Sequence, residues 1–313
     1  MVRDGGEREP FLLHSTRGKG IQYGWDLYCR NEALSIFLKT LSYHKIGADV
    51  LARWIAKSRT TPVERMLDVG CGDGTFTVAL FEALRKLGIP IPKLLRAFDP
   101  DKGNVRDYER RVTQFRDTEL RVKLGALETA SLTATYDLVV CSHSLYGTLE
   151  NPALSDNEKI DSLRRVADSK SGDGIGFLSL AGTGSEAYKV KREVLHELEV
   201  VDLSVHGEEL DSWLVRAGIP SVKSQWNSYM DVTRLMQDEV ALIRWMSYFT
   251  RTPEELIRSL GIQRLITILR RHTCHYLDAD DNTRTQMRHF PAETGMPSDE
   301  TLFLPHREVF FFL

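Results

Sequence analysis

Apolar residues along the chain recur with two different periods, and the change between them predicts the order of the elements. Up to about residue 57 the period is that of a helix. The apolar positions with that spacing are Leu34, Phe37, Leu38, Leu41, Ile46, Val50, Leu51, Trp54 and Ile55. They predict two helices between Trp25 and about Lys57, before any strand appears.

Beyond residue 60, short apolar runs alternate with amphipathic stretches. The runs that predict strands are MLDVG, LLRAFD, LRVKLGA, YDLVVCSH and GIGFLSLAG, followed later by SVKSQWNSYMDV and REVFFFL. Short strands separated by helices are typical of a parallel sheet covered on both faces, so the pattern predicts an α/β fold. A nearly continuous helical stretch from about 233 to 271, and then a loop rich in Asp, Thr and Pro, separate the last two strands.

The first predicted strand leads into the loop MLDVGCGDGT, in which Gly70, Gly72 and Gly74 stand at alternate positions. Glycine lets the backbone turn sharply and lie against a ligand without a clashing Cβ. At the carboxyl end of a parallel strand, such a loop is where a nucleotide-like ligand binds. The spacing differs from the GxGxxG of dinucleotide sites, and the carboxylates of Asp68 and Asp73 would repel a pyrophosphate. The loop therefore favours a ligand that presents an amine at this point.

The second predicted strand ends on Asp99, in LLRAFDP. A carboxylate at this position can accept hydrogen bonds from both hydroxyls of a ribose. A ribose joined to an amino acid portion, with no phosphate, describes S-adenosylmethionine, whose product would be S-adenosylhomocysteine. Binding of NAD and a purely structural strand–turn–helix are the alternatives at this stage.

Composition and charge narrow the function classes. Of the 313 residues, 42% are hydrophobic and 27% charged, as in an ordinary globular protein, and the net charge of −3 provides no field that would attract nucleic acid. Four cysteines without a CxxC pair argue against a disulfide framework and fit a reducing compartment. With neither an apolar N-terminal segment nor a run long enough to cross a bilayer, we expect a cytoplasmic protein that contacts no membrane.

The motifs LDVGCGDG and AFDP resemble those of the class I S-adenosylmethionine-dependent methyltransferases, over about residues 64–181. The resemblance implies a Rossmann-like, seven-stranded mixed sheet with helices on both faces. It also implies a set of residues that bind the cofactor: Asp68, Gly70, Gly72, Gly74, Asp99, Pro100, Glu128, Thr129 and Ser142. Strand four ends in VVCSHSLYG and not in the (D/N)PP(Y/F) type of motif of enzymes that methylate nucleobase amines, which further disfavours a nucleic acid substrate.

A further resemblance, to histamine N-methyltransferase and its relatives, extends over most of the chain. It is carried by four segments that occur in the same order in that family: CSHSLYGTLENP, GEELDSWLVRAGIPSVKSQWNSYMDV, ALIRWMSYF and TLFLPHREVFFFL. That family has a helical cap over its core. The resemblance implies an N-terminal helical arm and lid (1–60), a cofactor-binding core (61–205), and C-terminal strands (206–313) with a helical cap insertion at about 233–290. In the family enzyme three polar residues hold histamine, and they align here with Tyr43, His143 and a position beside His306. Because all three are replaced, the resemblance implies the family's scaffold but not histamine as the substrate.

Aromatic residues replace those polar contacts and predict a pocket for a flat or heteroaromatic acceptor. The substrate-binding candidates are Tyr23, Trp25, Tyr28, Trp226, Trp245 and His306. His143 and Tyr146 follow strand four, where the methyl group would lie. A neutral acceptor must lose a proton, and histidine suits that role near neutral pH, so His143, with Tyr146 or Tyr43 orienting the acceptor, is the catalytic candidate.

The sequence thus predicts methyl transfer from S-adenosylmethionine to a nitrogen of a small aromatic metabolite, by a monomer or homodimer. Methylation of a carbon in an indole-type natural product is the alternative, and a catalytically silent, cofactor-binding regulatory protein is the alternative of another class. His272, Cys274 and His275 lie close together in RRHTCHYLD, but no second ligand cluster accompanies them, and we predict no metal site.

Overall fold

This computed structural model describes residues 12–14, 21–23, 32–132 and 135–313. Near the start, β1 (Leu12–His14) pairs antiparallel with β2 (Ile21–Tyr23), and the helices α1 (Glu32–Thr40) and α2 (Tyr43–Ser58) follow. The two predicted helices are confirmed. The prediction that no strand precedes them is wrong, because segments of three residues are too short for an apolar period to show in the sequence.

The core alternates strands and helices as predicted. Its elements are β3 (Arg65–Val69), α3 (Thr75–Lys86), β4 (Leu94–Asp99), α4 (Lys102–Val112), β5 (Glu119–Leu124), β6 (Tyr136–Ser142), α5 (Tyr146–Leu149), α6 (Asp156–Asp168) and β7 (Lys170–Ala181). Local capping explains several boundaries. The Ser155 hydroxyl accepts from the Glu158 N–H while the Glu158 carboxylate accepts from the Ser155 N–H, which fixes the start of α6.

The C-terminal part begins with two helices and ends with the long last strand. Its elements are α7 (Glu186–Glu197), α8 (Gly207–Ala217), β8 (Val222–Asp231), α9 (Glu239–Thr250), α10 (Glu254–Ser259), α11 (Ile262–His272), β9 (Cys274–His275), α12 (Asp281–His289) and β10 (Leu302–Phe312). The predicted loop after α11 is wrong in part, because α12 lies within it. Asp280 accepts a hydrogen bond from the Thr283 N–H at 2.9 Å, so the Asp and Thr that suggested a loop start a helix instead.

The main sheet has the strand order β5-β4-β3-β6-β7-β10-β8, with β9 beside β10. The pairs from β5 through β7 are parallel, and β10 runs antiparallel to both β7 and β8. The predicted mixed α/β sheet is therefore confirmed, with eight strands in place of seven because the two-residue strand β9 adds one. The parallel strands place the loops that follow β3, β4, β6 and β7 at one edge of the sheet.

Apolar side chains fill three large clusters around this sheet. Two of them lie between the sheet and the helices of the core, and include four consecutive residues of β10, Val309 to Phe312. The third joins α1, α7, α9, α10 and α11 to the ends of β8 and β10, with Trp245 fully buried within it. In the part of the chain that the structure describes, no helix has both the length and the apolar character needed to span a bilayer.

Candidate active site

The glycine loop after β3 depends on backbone angles that favour glycine. Gly70, Gly72 and Gly74 have φ of 61°, 55° and 87°. A Cβ on Gly70 would lie 2.4 Å from the Cβ of Ser144, so the loop approaches the chain after β6 too closely for any side chain. A Cβ on Gly72 would meet nothing within 4 Å, and Gly72 lines a cavity. The loop therefore leaves space for a ligand at Gly72.

Asp68 supports the loop from within the core. Its carboxylate is 3% exposed and accepts hydrogen bonds from the hydroxyls of Thr77 and Tyr108, the latter at 3.0 Å. Burial raises the pKa of this carboxyl to about 6, although the two hydroxyls act to lower it. Asp68 is not among the residues that line the cavity. Asp68 therefore supports the loop from the core side. Its predicted direct contact with a cofactor stays a prediction.

The raised pKa of Asp68 leads to a prediction about stability. Because the folded pKa lies above the ordinary value of 3.8, the folded state holds this proton more tightly, and that stabilising effect is lost as the pH rises towards about 6. We expect Asp68→Asn, which stays neutral, to gain up to about 3 kcal/mol of unfolding free energy relative to the wild-type protein between pH 4 and pH 7. Urea denaturation at several pH values measures this difference. A difference that is constant with pH would contradict it.

Asp99 ends β4 and faces the same cavity. Its carboxylate accepts from the N–H of Gly72 and of Asp101, both at 2.9 Å, and from the Asn104 side-chain amide at 3.1 Å. Burial raises the pKa of Asp99, although these hydrogen bonds act to lower it. Asp73 in the loop pairs with Arg111 at 2.9 Å. Asp99 thus connects the glycine loop to the end of β4 and closes one part of the cavity.

One cavity extends from this loop past the end of β6 to the starts of α7 and α8. Residues from the glycine loop, from the segment after β6 and from the two helical regions line it together. The most informative of them are Gly70, Gly72, Asp73, Asp99, Tyr43, His44, Ser142, His143, Tyr146, Lys191, His206 and His306. Leu34, Phe37, Leu41, Tyr248 and Phe249 form an apolar wall. The structure therefore joins the predicted cofactor loop and the predicted catalytic residues in a single space.

His143 lines this cavity in a strained backbone conformation. It follows β6 with a φ of 53°, which is uncommon for a residue other than glycine. Its Nε2 lies 2.7 Å from Oε2 of Glu308, and its Nδ1 lies 3.2 Å from the hydroxyl of Tyr146. Strain of this kind persists where the surrounding contacts fix the residue, and it is often found at functional sites.

Glu308, on β10, is a functional candidate that sequence reasoning missed. Its side chain is fully buried, and its Oε1 lies 2.8 Å from Nδ1 of His306. Burial acts to raise the pKa of the Glu308 carboxyl, but His143 and His306 together oppose it more strongly, and the pKa falls to about 2. The one signal in the sequence was an acidic residue inside the otherwise apolar run REVFFFL.

The ionised Glu308 fixes the tautomer of a neutral His143. A carboxylate only accepts hydrogen bonds, so Nε2 of His143 must hold the proton and donate it to Glu308. The lone pair of Nδ1 then faces the Tyr146 hydroxyl, 3.2 Å away. Burial raises the pKa of Tyr146 to about 12, although Arg251 and the Ala181 N–H act to lower it, so its phenol stays protonated and can donate. Because Nε2 already holds a proton, Nδ1 is the atom at which a neutral His143 can accept one.

Tyr43 and His44 complete this side of the cavity. The Tyr43 ring lies 4.1 Å from the His143 ring and 4.0 Å from the His44 ring, measured between centroids. Burial lowers the pKa of His44 to about 3, so its imidazole is neutral at physiological pH. The three rings form a continuous aromatic surface that lines the cavity beside Glu308.

Several predicted site residues lie away from this cavity. The Glu128 carboxylate accepts from the Thr148 hydroxyl at 2.7 Å, and neither it, Thr129 nor Pro100 lines the cavity. Gly74 does not line it either and packs on Tyr108. Tyr23 belongs to β2, for which the structure describes only the backbone, and Trp25 and Tyr28 lie outside the described residues. Within the described residues no group of three or more His, Cys, Asp or Glu side chains could hold a metal ion.

The two tryptophans predicted to contact the acceptor do not lie where the prediction requires. Trp226 is 41% exposed on the edge strand β8, and Trp245 is fully buried, where its indole N–H donates to Thr40 Oγ1 at 3.2 Å. Neither lines the cavity. An aromatic residue on an edge strand can face solvent, and an aromatic residue on a cap helix can fill the core. The sequence alone does not distinguish either of these positions from a position that binds a substrate.

The positions of these tryptophans give a second testable expectation. Trp226→Ala should leave the stability within about 0.5 kcal/mol of the wild-type protein, whereas Trp245→Ala should cost about 3–5 kcal/mol through the cavity it leaves. The KM for an acceptor should be unchanged in Trp226→Ala. Chemical denaturation and steady-state kinetics measure both effects, and a large rise of KM in Trp226→Ala would restore its predicted role.

Comparison with known proteins finds solved structures that are similar to parts of this chain. The YcgJ protein of Bacillus subtilis is 14% identical, with a TM-score of 0.49 and coverage of 85% of this chain and 96% of that one. A putative methyltransferase of Bacillus halodurans is 15% identical, with a TM-score of 0.48 and coverage of 84% and 96%. The plantazolicin methyltransferase BpumL, solved in complex with SAH, is 11% identical, with a TM-score of 0.40 and coverage of 91% and 87%.

No protein-family model and no curated protein matches the chain. The TM-scores of these three structures are below 0.5, so their similarity does not assign a family, and the fold rests on the strand order described above. The resemblance to the histamine N-methyltransferase-like family stays a prediction.

Proposed function

We propose that this protein transfers the methyl group of S-adenosylmethionine to a nitrogen of a small aromatic or heteroaromatic acceptor. The observation that supports it most directly is the cavity that joins the glycine loop after β3 to His143 after β6, whose imidazole is hydrogen-bonded to Glu308 on β10. A purely structural loop would not need an open space at Gly72 or a strained, hydrogen-bonded histidine in the same cavity.

The residues around the loop fit this cofactor. Gly72 leaves open the space that a Cβ would fill, and Asp99 places a carboxylate at the end of β4, where ribose hydroxyls would donate to it. When bound, the cofactor supplies an electrophilic methyl group on a positively charged sulfur. Asp73 lines the same cavity with its carboxylate paired to Arg111, and the neutral His44 adds no positive charge that would repel a sulfonium.

The residues after β6 would position the acceptor and take its proton. Methyl transfer is an in-line displacement, so holding the acceptor in one orientation is the main contribution of the protein. Tyr43 and His44 provide a flat aromatic surface for this purpose. His143 would accept the acceptor's proton at Nδ1, with Glu308 stabilising the imidazolium that results, and Tyr146 would donate a hydrogen bond near the same atom.

The Glu308 carboxylate is not available to bind a cationic amine. It is fully buried and both of its oxygens lie within 2.8 Å of an imidazole nitrogen. This arrangement favours an acceptor that loses a proton to His143 over an acceptor held as an ammonium ion. Methylation of an indole carbon, which also ends with loss of a proton, is the second candidate function for the same reason.

Incubation with S-adenosylmethionine labelled in its methyl group, over a panel of aromatic amines, imidazoles and indoles, tests the proposal. Mass spectrometry detects a methylated product, and NMR assigns the methyl group to nitrogen or carbon. Binding of S-adenosylmethionine without any product across the panel would favour a catalytically silent regulatory protein. Lack of cofactor binding would overturn the proposal.

A further inference from the structure

A second polar cluster lines the cavity beyond His143, and no part of the proposed methyl transfer uses it. Lys191 on α7 is 5% exposed, and its ammonium donates to the Ser204 hydroxyl and lies 3.2 Å from Oδ1 of Asp202. His206, at the start of α8, is 7% exposed. Lys191, Ser204 and His206 all line the cavity that contains His143.

His206 is the unexplained member of this cluster. Among the described residues, neither of its ring nitrogens has a hydrogen-bond partner. The nearest acid, Oδ2 of Asp202, lies 3.8 Å from its Nε2, which is too long for a hydrogen bond. The Tyr188 ring packs edge-on against the imidazole with centroids 4.8 Å apart and holds it in place. A buried imidazole without partners is costly, so a bound group that satisfies it would be stabilised.

The charges of the cluster define what that group can be. Lys191 and Asp202 form an ion pair, so a bound anion or cation would leave a buried charge without a partner. A neutral imidazole offers one donor and one acceptor. The ammonium of Lys191 has three donors, of which the described residues engage two, through Ser204 and Asp202. A neutral group that both donates and accepts, such as a hydroxyl or a carboxamide, fits these partners.

The sheet sets where this cluster lies relative to the reacting atoms. The glycine loop follows β3, His143 follows the neighbouring strand β6, and α7 follows β7, the next strand along. In this strand order His143 lies between the glycine loop and the strand that leads into α7, and all of these segments line the same cavity. An acceptor whose reacting atom lies at His143 can therefore extend within this cavity towards Lys191 and His206.

We propose that Lys191 and His206 form a subsite for a hydroxyl or carboxamide group at the end of the acceptor distant from the methylated atom. This inference rests on the proposed function for the position of that atom. It names the substrate class more narrowly, as an aromatic compound with a neutral polar group at its far end.

Matched pairs of ligands test the subsite by binding alone. The pairs are 5-hydroxyindole and indole, 4-aminophenol and aniline, and indole-3-acetamide and 3-methylindole, all neutral near pH 7, titrated calorimetrically into protein saturated with S-adenosylhomocysteine. We expect the polar member of at least one pair to bind about tenfold more tightly than its partner. Similar affinities within every pair, including no binding by either member, would overturn the proposal.

Variants of His206 test whether this residue causes the tighter binding of the polar ligand in each pair. His206→Phe should reduce it to within about twofold, while His206→Gln, which keeps a donor and an acceptor, should retain part of it. His196→Phe, at an exposed position on α7, is the matched control and should behave as the wild-type protein. A preference that survives in His206→Phe would place the polar group elsewhere. The titration of S-adenosylhomocysteine itself tests cofactor binding separately, so failure of the proposed function and failure of the subsite give different results.

Discussion

Replacing His143 by glutamine should lower kcat for methyl transfer by about 100-fold or more near neutral pH. Glutamine can form hydrogen bonds with Glu308 and Tyr146 but cannot take a proton, so the variant separates orientation from proton transfer. The Kd for S-adenosylmethionine should change little, because His143 lies after β6 and the glycine loop after β3. Single-turnover kinetics and calorimetric titration of the cofactor measure the two quantities.

Two further variants sharpen this expectation. Glu308→Gln removes the charge that fixes the tautomer of His143, and it should lower kcat with the Kd for the cofactor preserved. His289→Gln, at an exposed position at the end of α12, is the matched control and should have wild-type kinetics. Near wild-type kcat in His143→Gln across the pH range would show that His143 is not the proton acceptor.

Replacing Gly72 by alanine should weaken binding of S-adenosylmethionine by about 10- to 100-fold, as expected for a methyl group placed in a filled site at a cost of about 1–3 kcal/mol. In the free protein the added Cβ meets nothing within 4 Å, so the loss would come from the ligand's space and not from the fold. Differential titration of the wild-type and variant proteins measures the effect.

Gly88 provides an unusually close control for this variant. It also has a positive φ, 70°, and a Cβ there also meets nothing within 4 Å, but it lies at the end of α3 and does not line the cavity. Both Gly→Ala variants should lose about 1–2 kcal/mol of stability from the left-handed backbone. Equal cofactor affinity in the two variants would mean that Gly72 does not contact the ligand.

The parts of the site that the sequence predicted are those encoded locally. Gly70, Gly72 and Asp99 lie in short motifs directly after strands, and the order of parallel strands brings such loops to one edge of the sheet. Glu308 and His206 were not predicted, because they enter the cavity through pairings of distant segments. Glu308 is 165 residues from His143 in the chain.

The positions of Trp226 and Trp245 away from the cavity were not predicted for a similar reason. Aromatic character indicates burial or binding, but which of the two depends on the position of the strand within the sheet and on the packing of the cap. β8 is an edge strand and leaves Trp226 41% exposed, whereas α9 places Trp245 inside the third apolar cluster. Neither the edge position of β8 nor the packing of α9 can be inferred from the residues that neighbour Trp226 and Trp245 in the sequence.

The insertion of β10 between β7 and β8 has a consequence for how the protein acquires its activity during folding. The strand delivers Glu308 to His143 only when it pairs with both neighbours, one of which ends at Ala181 and the other at Asp231. Contacts of such long sequence separation form late, since the entropy of closing large loops must be overcome first. Refolding protein should therefore regain helical content before the histidine is held in place, and recovery of turnover should report the docking of this single strand.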